Sequence, residues 1–201
     1  MANMCNLKTT VHCYSEQHAM EVKREIENSF ETDNAGSKRM YFKQSESRGF
    51  ELFSAEFEQD GDKVILQSQI KLTLESLEAL WFIQYLTGIA GKVSIKIEFF
   101  ETCNRFDVGQ YLYDGTSMEA WWIPPKAFFY FPDDLPSYEE LFQILEKCGR
   151  RELLFEDVDR ALGDYSTLID EEEHNKGIES LNEEAEISGD VDDGVEEDIP
   201  F

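Results

Sequence analysis

The chain predicts an α+β fold: an antiparallel sheet with helices on one face, followed by C-terminal helices and a disordered acidic tail. Three observations lead there. Runs of alternating apolar and polar residues recur from Leu7 to Ile123. Two segments with helical character interrupt them, one spaced as Ala19, Val22, Ile26 and Phe30, the other spanning Glu75 to Leu86. From Asp170 onward the chain is acidic and has no aromatic residue until Phe201.

Leu7 to Tyr14 alternates and is rich in β-formers, so it reads as a strand. Ser15 is a good N-cap for a helix reaching about Phe30. Thr32 to Ser37 is a loop, and Arg39 to Ser45 is a strand. Phe50 to Phe57 alternates as Phe50, Leu52, then Ala55 and Phe57, with Phe53 out of phase. Asp60-Gly61 marks a hairpin turn into a partner strand, Val64 to Leu74. Glu75 to Leu86 is apolar over most of its surface and predicts a buried helix ended by Gly88. Lys92 to Phe100 alternates Val93, Ile95, Ile97 and Phe99 against Lys92, Ser94, Lys96 and Glu98, a half-solvated strand. Gln110–Tyr113 and Glu119–Ile123 are strands around an Asp114-Gly115 turn, ended by Pro124-Pro125. Phe128 to Phe131 is a short aromatic run. Ser137 to Glu140 forms a capping box that opens a helix to Cys148. Leu154, Val158, Ala161 and Leu162 suggest one more helix. The order β-α-β-β-β-α-β-β is a ferredoxin-like arrangement with extra strands. The expected domains are 1–135 (α+β), 136–168 (C-terminal helices packed on it) and 169–201 (disordered acidic tail).

The 201 residues include 15 Phe, 8 Tyr and 3 Trp, enough for a sizeable core. The formal net charge is −25. Asp170 to the end holds 14 acids and one lysine, and the preceding part holds 29 acids against 17 bases. General phosphate binding is therefore not the default behaviour of the front domain, and nucleic acid would need a local basic groove with stacking aromatics. Cys5, Cys13, Cys103 and Cys148 have no metal or disulfide spacing and read as reduced thiols. No run is apolar enough for a membrane span, and the N-terminus lacks a signal pattern, so a cytoplasmic protein away from membranes is expected.

No phosphate-cradling glycine loop or nucleophile elbow occurs. Glu98, Glu101, Asp107 and Asp114 are read as solvated strand and turn residues rather than Mg²⁺ ligands, and His12, Cys13 and Cys5 as an ordinary strand rather than a zinc site. The expectation is a non-enzyme with no metal or cofactor. The densest basic cluster is Lys38, Arg39, Lys43 and Arg48, interleaved with Tyr41, Phe42 and Phe50. Cations tracking phosphates beside aromatics is the form a single-strand site takes. Lys92 and Lys96 extend it. Trp121-Trp122 and the run at Phe128 fit core packing better.

The last residues, Glu196-Glu197-Asp198-Ile199-Pro200-Phe201, turn abruptly from acidic to apolar. A pocket on another protein can bury the Phe201 ring while a basic rim takes its carboxylate and the acids before it. This tip resembles the C-terminal tip of bacterial single-stranded DNA-binding proteins, over about the last six residues. That resemblance implies docking onto host replication, recombination and repair enzymes that bind such tails. It also makes an OB-fold barrel the alternative fold. More weakly, Ile65 to Gly115 resembles ferredoxin-like proteins of unknown function carried by phages and plasmids. Together these lead to a phage- or plasmid-type DNA-metabolism protein that binds single-stranded DNA through its front domain and host enzymes through its tip. The alternative is an acidic decoy that occupies DNA-binding or tail-binding sites on host nucleases, as anti-defence proteins do. Oligomeric state is not legible.

Overall fold

The computed structural model describes residues 4–43, 49–71, 74–101, 108–123 and 138–164. The chain divides into two compact units, Met1–Leu162 and Gly163–Phe201. The first is an α+β unit built on one antiparallel sheet.

β1 (Met4–His12) alternates and is followed by α1 (Glu16–Asn28). The Ser15 hydroxyl accepts from the His18 backbone N–H at 3.2 Å, which fixes the helix start. β2 (Glu31–Thr32) and β3 (Lys38–Lys43) pair as a short hairpin. β4 (Gly49–Asp60) and β5 (Lys63–Lys71) form the long hairpin announced by Asp60-Gly61, and Gly61 takes φ +58 at its tip. α2 spans Ser76–Ala90. β6 (Ser94–Glu101), β7 (Val108–Tyr113) and β8 (Met118–Trp122) follow as antiparallel neighbours. α3 (Tyr138–Cys148) then leads into β9 (Arg150–Phe155), and residues 158–164 are helical. The sheet order is β2-β3-β4-β5-β1-β6-β7-β8-β9, so β1 is inserted between two strands that follow it in sequence.

Alternation gives the sheet two faces. Cys5, Leu7, Thr9 and Val11 of β1 share one face with Val64, Leu66 and Ile70 of β5 and with Ile95, Ile97 and Phe99 of β6. α1 and α2 cover this face. Ala19, Val22 and Ile26 of α1 and Leu80, Phe82, Ile83 and Leu86 of α2 are all buried. Phe42 and Phe50 stack at 4.7 Å and meet Phe82 edge-on. Phe30 meets Phe57 edge-on at 5.1 Å. The Tyr111 hydroxyl donates to the Leu74 carbonyl at 2.9 Å and ties β7 to the chain entering α2. Gly109 is required by packing: a Cβ there would collide with the Phe99 ring and the Trp121 carbonyl. α3 adds a second, smaller cluster in which Leu141 and Leu145 pack with Val108 and Ile123, beside Phe100 and Trp121.

Three sequence expectations are corrected. Gly88 lies inside α2, and Gly91 at φ +74 ends it. Burial of Leu86 and Ala90 on either side outweighs the cost of one helical glycine, about 1 kcal/mol. Leu154 belongs to β9 rather than to a helix, because Arg150–Phe155 pairs with β8 and extends the sheet. Glu98, expected to be solvated, is only 6% exposed. It lies between Lys8 and Gln110 on the neighbouring strands, and Lys96 Nζ reaches it at 2.7 Å. The Ser137 capping box, the runs at Pro124 and Phe128, and the tail lie outside the described residues. Among the described residues, no helix is long and apolar enough to cross a membrane.

Candidate nucleic-acid interface

The second face of the sheet carries the residues that alternate with the core. Asn6, Lys8, Thr10 and His12 of β1 project there, beside Gln67, Gln69 and Lys71 of β5. One row crosses the sheet as Glu56, Gln67, Lys8, Glu98, Gln110, Trp121 and Arg151, in register from β4 to β9. The next row is Phe53, Gln69, Asn6, Phe100 and Val108. Neither α1 nor α2 reaches this face, and α3 packs on it around Val108, beside Phe100 and Trp121.

Its charges are largely cross-paired. The Arg151 guanidinium donates to both Glu119 oxygens at 2.6 and 2.7 Å and lies over the Trp121 ring at 5.2 Å. This fork holds the Glu119 carboxyl below the usual carboxylate range. Lys71 Nζ lies 5.2 Å from the Phe53 ring centre. Burial, with Lys63 next in effect, lowers the His12 pKa. Lys8 is half-buried. Among the described residues it has no ion-pair partner, and neither has Glu56.

A β-bulge shapes the centre of the face. Between Phe53 and Glu56, β4 advances one residue more than β5. Ser54 sits in the bulge at φ +50, a left-handed conformation that costs a non-glycine residue energy. The strand bends and leaves a cavity of about 550 Å³. Asn6, Lys8, Gln67 and Gln69 form its corners, Ser54 and Glu56 one wall and Phe100 another, over the Leu7–Ser68 pair as floor. Gln69 donates to the Asn6 carbonyl oxygen at 3.0 Å, which fixes both amides.

The residues singled out in the sequence are dispersed by strand alternation. Arg39 and Tyr41 lie on one parity of β3, while Phe42 faces the helices. Lys38 lies beside Phe57 at 5.1 Å and pairs with Glu27 of α1 at 3.0 Å. Arg39 pairs with Asp33 at 2.6 Å and with Glu51 at 3.7 Å. Asp33 also accepts from the Ser37 and Ala35 backbone N–H groups, and these bonds together with Arg39 lower its pKa. Tyr41 is 60% exposed, opposite Glu51. Phe42 and Phe50 are core partners of Phe82 and not exposed platforms. Lys43 ends β3, but its side chain, Arg48 and the whole of Glu196–Phe201 lie outside the described residues. Of the extension, Lys92 is bound to Asp159 at 2.6 Å and Lys96 to Glu98.

Sequence reasoning missed Asn6, Lys8, Gln67, Gln69, Ser54 and Glu56. A signal was present, since β1 and β5 each place polar residues on every second position. Their meeting required the register, which brings Lys8 opposite Gln67 although the two are distant in sequence. Asp114 accepts from the Thr116 and Ser117 backbone N–H groups and acts as a turn residue. Among the described residues, no group of His, Cys, Asp and Glu is arranged to hold a metal ion.

Compared with protein-family models, with curated proteins and with solved structures, the chain gives no match.

Proposed function

We propose that this is a DNA-metabolism protein of phage or plasmid type. Its folded unit holds single-stranded DNA on the sheet face turned away from α1 and α2, and its acidic C-terminal tip docks onto host enzymes that bind such tails. The observation that carries the first half is the composition of that face. Arg39, Tyr41, Phe53, Lys71, Asn6, Lys8 and Phe100 sit on strands β3 to β6, with their parity turned away from α1 and α2. Cations that track phosphates, amides that reach base edges and aromatic rings that stack on bases are the parts such a surface needs. The strand order β4-β5-β1-β6, with α1 and α2 as the crossovers, supports a ferredoxin-like core extended at both edges.

Fluorescence anisotropy with labelled oligo-dT tests this half. Binding that falls with added salt and weakens several-fold in Lys8→Glu is expected. Binding that ignores both would overturn it. For the tip, deletion of Phe201 or amidation of its carboxylate abolishes binding to an enzyme with a tail-binding pocket, such as exonuclease I. Glu196→Gln with Glu197→Gln weakens that binding mainly at low salt.

A second reading keeps the tip and replaces the first half: an acidic decoy that occupies DNA-binding clefts on host nucleases. The pairing of Lys38 with Glu27 and of Arg39 with Asp33 and Glu51 favours it, because these cations are already neutralised. It requires no oligo-dT binding, together with inhibition of a nuclease that DNA relieves.

A further inference from the structure

We propose that the cavity at the β4 bulge is a base pocket that selects guanine from a single strand. The inference rests on the nucleic-acid reading above and names the ligand of its centre. Three features point there. Ser54 is held at φ +50 where the strand bends open, and strained backbone of this kind is retained where the surrounding structure imposes it. The cavity, about 550 Å³, is within the size range of small-ligand sites. Lys8 and Glu56, opposite charges on one row, are separated by Gln67 and are not paired with each other or with any other described ion.

That row matches one base. A carboxylate presents two parallel acceptors and no donor. Guanine alone among the four bases offers two adjacent donors on its pairing edge, N1–H and N2–H. Adenine and cytosine would turn a ring-nitrogen lone pair towards Glu56. Thymine would turn two carbonyl oxygens towards it around a single N–H. The Glu56 carboxylate accepts the two guanine donors, and the Gln67 amide, next in the row, donates to O6. Lys8, one strand further, takes the adjoining phosphate. Phe100 supplies an apolar wall for the base.

The test uses the full chain and three labelled oligonucleotides of about 12 nucleotides, within the length a single-strand domain spans: oligo-dT, the same with one central dG, and the same with one central dA. The dG strand is expected to bind about tenfold more tightly than the other two, a typical gain for one bidentate contact. Glu56→Gln removes two charged acceptors and brings the dG strand to the level of the others. Glu56 is exposed and unpaired, so the variant keeps its fold. Equal binding of all three strands would overturn the guanine pocket and leave the nucleic-acid reading standing. If no strand binds, the nucleic-acid reading fails, and titration with GMP decides the pocket separately. Saturable GMP binding lost in Glu56→Gln, with AMP inert, sustains it; no GMP binding overturns it.

Discussion

The two faces of the sheet are made by the same strands and treat polarity in opposite ways. On the covered face, β1 places Cys5, Leu7, Thr9 and Val11 against α1 and α2, and the aromatic rings lock edge to face around Phe82. On the other face, β1 places Asn6, Lys8, Thr10 and His12, and most of the neighbours are polar, among them Gln67, Gln69, Glu98, Lys96 and Lys63. Burial fixes the first face through area and shape, where each lost ring leaves a void. Away from the α3 cluster, the second is held by cross-strand pairs worth a fraction of a kcal/mol each. A surface held so weakly can exchange its own partners for a ligand's, and a close-packed one cannot. This contrast favours the second face for the proposed recognition site.

The largest effect expected belongs to the covered face. Phe82 is fully buried and touches Phe42, Phe50 and Tyr85. Phe82→Ala costs about 3–5 kcal/mol, read as a fall in the urea midpoint. Gln69→Ala on the other face changes the midpoint by about 0.5 kcal/mol or less. If the two costs were similar, the contrast between faces would be broken.

A smaller change of opposite sign sharpens the comparison. Thr9 and Ser68 are polar residues inside the covered face, and their hydroxyl oxygens have no hydrogen-bond partner among the described residues. A buried hydroxyl without a partner carries its desolvation cost uncompensated. Thr9→Val keeps the shape and removes the hydroxyl, so a gain of about 1 kcal/mol in the urea midpoint is expected. A loss would mean that Thr9 has a partner the packing requires.

Much of the covered face was legible in the sequence, because period two and period 3.6 report burial directly. The Ser15 cap, the Asp60-Gly61 hairpin and the apolar helix at Glu75 lie close to where the pattern placed them. The out-of-phase Phe53 was also a correct signal, of a kind one sequence does not decode. Leu52 faces the helices, Phe53 faces away, and the extra residue at Ser54 returns Ala55 and Phe57 to the helix side. Parity also divides the cluster around Lys38. Proximity in sequence ignores parity, so Lys38 and Arg39 diverge while Lys8 and Gln67 converge. A third modest effect follows from the bulge: Ser54→Gly relieves the left-handed strain but adds chain entropy when unfolded, for a net gain of roughly 0.5 kcal/mol. It is checked by the same urea titration.

The smallest effect is a pH dependence that separates two groups on the face turned away from α1 and α2. Glu119 has its folded pKa lowered, first by the hydrogen bond from Arg151. Its contribution is complete above the unfolded carboxylate value and disappears as pH falls through the lowered folded value. His12 is lowered mainly by burial, then by Lys63. The unfolded imidazole therefore takes up its proton first, below about pH 6.5, and stability declines from there as pH falls. Two shallow losses in the urea midpoint are expected, one in the histidine range and one in the carboxylate range. His12→Gln removes only the first, and Glu119→Gln removes part of the second. Because Arg151 is exposed, the Glu119 part is small, and added salt shrinks it. A Glu119 contribution that resists salt would show a pair held as tightly as the core, and the two faces would then differ less than their packing implies.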